Sequence, residues 1–131
     1  MGGTCGIKTL GGRTYHCPVE LALQVIGGKW KPLILWHLGA DGTLRFSQLK
    51  RRMPRITQKM LTQQLRELEA DGVVERTVYA QVPPRVDYAL TAFGATLKPV
   101  LEALCRWGAE LEARLEAEPE DARGGPDAKA S

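Results

Sequence analysis

The clearest helical period in the chain lies over residues 56–72. At about 100° per residue, Met60, Leu61, Leu65 and Leu68 fall on one side, and Gln58, Lys59, Thr62, Gln63 and Arg66 on the other. Both ends are marked. Thr57 suits the N-cap, its hydroxyl accepting a free amide of the first turn, and Gly72 suits the left-handed residue that closes a helix. Just ahead, Phe46, Leu49 and Met53 repeat at the spacing of a short helix over 46–53. Pro54 stops it, because proline disfavours helical geometry in the residue before it. Two helices joined by a tight turn form a helix-turn-helix.

Downstream the period changes. Residues 73–79 read as a strand, and 85–90 as a second, with Val86, Tyr88 and Leu90 alternating to one face. Between them, residues 80–84 end in Pro83-Pro84, which cannot donate ladder hydrogen bonds and make a stiff, projecting tip. A hairpin after a helix-turn-helix is a wing. From residue 91 a helix is predicted to about residue 117, with Leu97, Leu101, Leu104, Leu111 and Leu115 in four-three alternation and Gly108 in the slot between. Val100 and Trp107 widen the stripe. Too little chain remains to cover it, so part of it is assigned to a second subunit; a glycine inside a helix costs about 1 kcal/mol, which is reasonable where another backbone approaches. The interface candidates are Leu101, Leu104, Gly108, Leu111 and Leu115.

Upstream, Pro18 at a first helical position opens a short apolar helix that Gly27-Gly28 ends. A second helix from about Lys29 is apolar nearly all round through Leu38 and is expected to be the buried central one, with a turn over 39–42. Residues 43–45 are a candidate short strand. Residues 1–15 lack periodicity and are expected to be a flexible arm, extended or disordered unless they dock. Residues 119–131, of Gly, Pro, Ala, Asp and Lys, are expected to be a disordered tail. The predicted fold is mostly α with a small antiparallel β-hairpin: a winged helix-turn-helix over 16–118 with a long C-terminal dimerisation helix.

Charge adds direction to this frame. The chain of 131 residues has a net charge of only +3, but residues 45–66 hold seven basic residues (Arg45, Lys50, Arg51, Arg52, Arg55, Lys59, Arg66) and no acid. An ordinary solvated face mixes signs, whereas amides, a hydroxyl and cations can bond base edges and phosphates. Gln58, Thr62 and Gln63 are therefore the candidates for reading bases. Lys50, Arg51, Arg52, Lys59 and Arg66 are the candidates for neutralising phosphates. Arg85 at the base of the wing is either another phosphate contact or a solvated strand-end charge.

The partners expected are double-stranded DNA and a second copy of the chain. A protein-interaction module without sequence-specific DNA binding is the alternative, though such a helix more often shows apolar anchors. RNA binding lacks its usual aromatic stacking platform. No catalytic set is evident; the two histidines are His16 and His37, and His37 lies on the apolar helix. No cofactor is implied, and His16, Cys17 and Cys5 do not match a regular metal pattern. No apolar run approaches the roughly 20 residues that span a bilayer, and the first ten residues have no signal-peptide core. Three cysteines without framework spacing fit a reducing compartment, so a cytoplasmic location is expected.

Taken together, Cys17-Pro18-Val19-Glu20, Val25-Ile26-Gly27-Gly28-Lys29-Trp30, Arg45-Phe46, Gln58-Lys59-Met60-Leu61-Thr62-Gln63-Gln64-Leu65-Arg66-Glu67-Leu68-Glu69 and Val82-Pro83-Pro84-Arg85-Val86-Asp87-Tyr88 resemble the HxlR-type winged helix-turn-helix regulators of bacteria, which are MarR-like. The match runs from about residue 15 to residue 107. The resemblance implies a homodimer on an inverted-repeat operator, repressing or activating nearby genes. It implies that residues 58–66 read the major groove and that the wing touches flanking backbone. It also implies a small-molecule or redox effector in some members, sensed through the cysteine matching Cys17.

The physical case for Cys17 as a redox sensor is separate. A thiol at a helix start meets unpaired amides and the positive end of the dipole, which favour the thiolate, and a protonated His16 would add to this. The other reading is a small buried apolar residue filling a gap. Cys105 lies beside the leucine stripe and is expected in core or interface. Cys5 is a candidate resolving thiol.

Overall fold

The computed structural model describes residues 6–118; residues 1–5, with Cys5, and 119–131 lie outside them. Two compact units are formed, one ending at Lys98 and one beginning at Pro99. Among the described residues no helix is long and apolar enough to cross a membrane.

The first unit opens on a structure absent from the sequence reading. Residues expected to be an extended arm pair as an antiparallel hairpin, Lys8–Leu10 (β1) with Arg13–Tyr15 (β2). Gly11 and Gly12 make the turn with φ of 57° and 77°. Two positive φ values in succession are what a tight hairpin turn matching strand twist requires, and Gly-Gly supplies them without a Cβ penalty. The hairpin is tied down: Tyr15 is buried, and Arg13 Nη2 donates to Asp71 Oδ1 at 2.5 Å.

Helix α1 (Pro18–Ile26) begins with its proline in the first turn as expected. It buries only Ile26, and leaves Val19 and Leu23 exposed. Helix α2 (Trp30–Asp41) corrects two expectations. It is buried on one side, through Ile34, Leu35 and Leu38, rather than all round, and Leu33 is exposed. It also runs through the turn expected at 39–42. Gly39 stays helical, and a Cβ there would make only ordinary contact with Leu90 Cδ1 and Lys98 Cγ, both at 3.7 Å. The helix stops at Gly42, with φ of 79°.

Strand β3 (Leu44–Arg45), helix α3 (Phe46–Arg52) and helix α4 (Gln58–Ala70) follow. Strands β4 (Val74–Tyr79) and β5 (Arg85–Leu90) form the wing, and the antiparallel sheet has the order β3-β5-β4. The core joins these elements. Ile34 and Leu35 of α2, Leu49 of α3, and Leu61, Leu65 and Leu68 of α4 are at most 1% exposed, with Ile56, Val73 and Val74 alongside. Full burial of one such side chain is worth about 1.5–3 kcal/mol, so packing rather than local propensity fixes how α4 lies. Met60, placed on the buried side by periodicity, is instead exposed and accepts from Gln64 Nε2. It sits in the first turn, one position before Leu61, at the edge of the apolar stripe.

The single helix predicted over 91–117 is two. Helix α5 (Ala92–Ala95) closes when Thr96 and Leu97 donate to the carbonyls of Phe93 and Gly94, each at 3.0 Å, and Thr96 Oγ1 adds a bond to Phe93. The cause lies ahead at Pro99. A helix running through would press its ring against the Ala95 carbonyl and lose that hydrogen bond.

Helix α6 (Lys98–Ala117) makes up the described part of the second unit from Pro99 onward. Of its stripe, Leu101 is buried, whereas Val100, Leu104, Trp107 and Leu111 are 46%, 51%, 63% and 38% exposed. A Cβ added at Gly108 would meet nothing within 4 Å.

Candidate nucleic-acid interface

Helix α4 starts as its sequence predicts: Met60 N donates to Thr57 Oγ1 at 3.0 Å. At the other end Asp71 is the C-cap and Gly72 turns the chain with φ of 79°. With Leu61, Leu65 and Leu68 committed to the core, the opposite face carries Gln58, Lys59, Gln63 and Arg66 exposed and Thr62 half-buried. The structure thus brings together all five residues singled out on this helix.

Gln63 is not idle there. Its Nε2 donates to Glu67 Oε2 at 2.7 Å, and the other Glu67 oxygen is paired with Lys31 Nζ at 2.6 Å. Hydrogen bonding from Lys31, then from Gln63, holds the Glu67 carboxyl below its usual range. One Gln63 N–H and its carbonyl remain available, which is the donor and acceptor pair that an adenine edge takes.

The basic residues divide into two groups. Lys50, Arg51, Lys59 and Arg66 have no ion-pair partner among the described residues, and the last three are exposed. Arg52 is tied back to α2: its Nε donates to Asp41 Oδ2 at 2.7 Å and its Nη1 to the Gln48 carbonyl at 3.1 Å. His37, on α2, is held below the ordinary histidine range by burial, which Asp41 opposes and Arg52 reinforces. Arg85 is held more firmly. Its Nε and Nη2 donate to the two oxygens of Asp87, both at 3.0 Å, and its guanidinium lies 4.9 Å from the Tyr79 ring centroid.

Asp87 was not singled out in the sequence, although it is the buried charged residue of the sheet, 4% exposed. Its signal was the local pattern: an acid between apolar Val86 and Tyr88, two residues after an arginine on the same strand face. Hydrogen bonds from Arg85 hold its carboxyl below the usual range, the charge of Arg45 helps, and desolvation opposes. A carboxyl lowered by folding stabilises above its unfolded value, near 3.9, and that contribution is lost as pH falls through the folded value. Wing amides over β4–β5 are therefore expected to exchange faster only below about pH 4. Asp87→Asn should flatten that acid limb; an acid limb unchanged in the variant would assign it to Glu20 or Glu67 instead.

Cys17 occupies the N-cap position of α1, exposed, with no capping bond from its side chain. The gap-filling reading does not describe it. Glu20 reaches back to the His16 amide at 2.7 Å and lies 3.3 Å from its ring nitrogen. An imidazolium at His16 would thus face a carboxylate beside the thiol. Cys105 is exposed on α6 rather than buried in a core.

A core-packed helix with an exposed polar face, entered through a short turn from α3 and followed by a two-stranded wing, defines a winged helix-turn-helix regulator. The HxlR-like helix-turn-helix family model matches residues 25–116. The HTH-type transcriptional regulator YtcD of Bacillus subtilis is 61% identical over 97 residues, 74% of this chain and 76% of its own. Among solved structures, the redox regulator HypR in its reduced form matches with a TM-score of 0.72 and 53% identity, over 78% of this chain and 100% of that one. The reduced form of the transcriptional regulator YodB of B. subtilis matches with a TM-score of 0.61 and 38% identity, over 72% and 91%. The chain belongs to the HxlR-like helix-turn-helix family of transcriptional regulators.

Proposed function

We propose that this regulator binds an inverted-repeat operator as a homodimer in the cytoplasm, and that oxidation or alkylation of Cys17 controls binding. The observation that carries the DNA reading is the α4 face: five polar residues, no acid among them, and cations without ion-pair partners among the described residues. In this reading Gln58, Thr62 and Gln63 address base edges, while Lys50, Arg51, Lys59 and Arg66 neutralise phosphates. Arg52 orients α3 through Asp41, and Arg85 meets backbone only with the N–H groups that Asp87 leaves free. The homodimer is supported by the α6 stripe, where Leu104, Trp107 and Leu111 expose apolar surface, with Leu101, Gly108 and Leu115 on the same helix. Such surface on a monomer marks an interaction site.

Control through Cys17 is supported by its exposure at a helix start and by likeness to HypR, solved oxidized and reduced, and to YodB, solved reduced and diamide-treated. The thiolate would attack an electrophile, or join a second thiol as an oxidant such as diamide takes up two electrons and two protons. A small-molecule effector would act through the same residue.

Selection from a randomised duplex library tests the reading, with the protein reduced and then diamide-oxidised at fixed salt. An inverted repeat with half-sites about one helical turn apart is expected. Oxidation should abolish binding, reductant should restore it, and Cys17→Ser should be indifferent to diamide. Oxidant sensitivity that persists in Cys17→Ser would sink the switch. No selected sequence at low salt would point instead to a protein-interaction module.

A further inference from the structure

Beside the wing lies a notch of about 360 Å³, open between the start of α3 and the wing tip. Arg45, Ser47, Gln81 and Arg85 supply its polar lining, and Pro83 and Pro84 stiffen one wall. The lining comes from two separate elements, the start of α3 and the wing.

The electrostatics are unusual in one respect. Arg45 stands opposite Asp87 in the β3–β5 register, yet both Asp87 oxygens are taken by Arg85. One carboxylate is therefore bonded to one guanidinium and feels the charge of a second, and the trio keeps one net positive charge. The backbone of Arg45 is pinned where its amide donates to Gln48 Oε1 at 2.9 Å, while its side chain is exposed and has no ion-pair partner among the described residues. Arg85 is fixed by two hydrogen bonds and by its ring contact with Tyr79, so little of its side-chain freedom is left to lose on binding.

We propose that this notch seats one backbone phosphate of the duplex, with Arg45 supplying the neutralising charge, Arg85 and Ser47 donating hydrogen bonds, and Asp87 acting as the positioning residue for Arg85. The proposal rests on the DNA reading above and extends it to a site off the α4 face. The notch joins the first helix of the helix-turn-helix to the wing, so a phosphate held there locks the two elements to one register on the backbone. A phosphate contact positions without specifying sequence. The notch therefore contributes affinity and salt dependence, not operator choice.

The test uses the full chain and the duplex selected above, with binding measured from 50 to 200 mM chloride, roughly the range over which phosphate contacts dominate the salt response. Arg45→Ala should reduce the slope of log K against log salt by about 0.9, close to eightfold in affinity at about 0.1 M. Arg45→Lys should keep the slope. Thermal melting should be unchanged, and Arg45→Gln, which keeps the aliphatic stem, replaces the alanine variant if it is not. Duplexes carrying one neutral methylphosphonate are then scanned along each strand. One position per half-site should weaken the parent protein but leave Arg45→Ala unaffected, since the same contact cannot be lost twice.

A slope unchanged in Arg45→Ala, or losses that add at every methylphosphonate position, would overturn the assignment and leave the DNA reading intact. A parent protein that binds no duplex at low salt would overturn that reading and this site with it. Exchanging chloride for inorganic phosphate at equal ionic strength separates the two sources of the anion. Phosphate that raises the parent's melting temperature through Arg45, with no Arg45 contribution to the DNA salt slope, would mean a free-anion site and refute the backbone seat.

Discussion

Gly94→Ala should lower stability by about 2–3 kcal/mol, the range of an overpacked core, despite the roughly 1 kcal/mol that alanine gains over glycine inside a helix. Gly94 is buried in α5, and a Cβ built on it falls inside the contact radius of the Val73 carbonyl oxygen, with the Val73 carbonyl carbon at 2.9 Å. The obstacle is backbone, so no rotamer change relieves it. Nor can the neighbouring segments move freely. Val73 N donates to the Leu68 carbonyl, and Thr91 N donates to the Val73 carbonyl at 3.2 Å. Thr91 Oγ1 accepts from Gly94 N at 2.9 Å and donates to the Gly72 carbonyl at 2.6 Å. This cluster joins the end of α4, the start of the wing and α5. Urea unfolding is the measurement, and the midpoint should fall with little change in its slope. An unchanged or higher midpoint would show that α5 lifts away at low cost. The same substitution at Gly108, where a Cβ meets nothing within 4 Å, carries no such penalty in the single chain.

The contrast between these glycines shows what the sequence made legible. The bounds of α4 were readable because Thr57 and Gly72 act locally, through one capping bond and one left-handed residue. The wing was readable because strand alternation and Pro83-Pro84 are also local signals. The β1–β2 hairpin was hidden although Gly11-Gly12 marked its turn, because its flanks are too short to show alternation. The Arg13–Asp71 bond that ties it down spans 58 residues of sequence. Pro99 marks the break between α5 and α6, but the spacing from Leu97 to Leu101 across it is compatible with one helix. The reason for Gly94 is a carbonyl from another element, which no periodicity reveals.

The candidate site divides in the same way. Which residues share the α4 face follows from helix geometry and could be read from the sequence. Which cations stay unpaired could not, because Arg52 and Arg85 find their carboxylates through tertiary contact and strand geometry. Asp87 appears one-sidedly in the sequence as a polar residue in a strand. Only the sheet register shows that it stands opposite Arg45.

That division of the cations sets the largest effect expected on DNA binding. Replacing Lys50, Arg51, Lys59 and Arg66 together by glutamine should cost between three and four orders of magnitude in affinity at about 0.1 M salt, since each neutralised phosphate contributes about 0.9 to the slope of log K against log salt. The slope should fall by about 3.6. Glutamine keeps most of each aliphatic stem and has a helix propensity close to that of lysine and arginine. None of the four has an ion-pair partner among the described residues, so thermal melting should stay near that of the parent. Arg52→Gln and Arg85→Gln should behave in the opposite way, lowering the melting temperature through Asp41 and Asp87 while changing the slope by less than half of the roughly 0.9 of a full contact each. Melting curves and salt titrations on both sets decide between the two roles. If the four-residue variant keeps the parent slope, the α4 face is a solvated surface and the cations that matter lie elsewhere. If instead Arg52→Gln alone removes a full unit without loss of stability, its bond to Asp41 opens on the duplex, and the unbound pairing says nothing about the bound state.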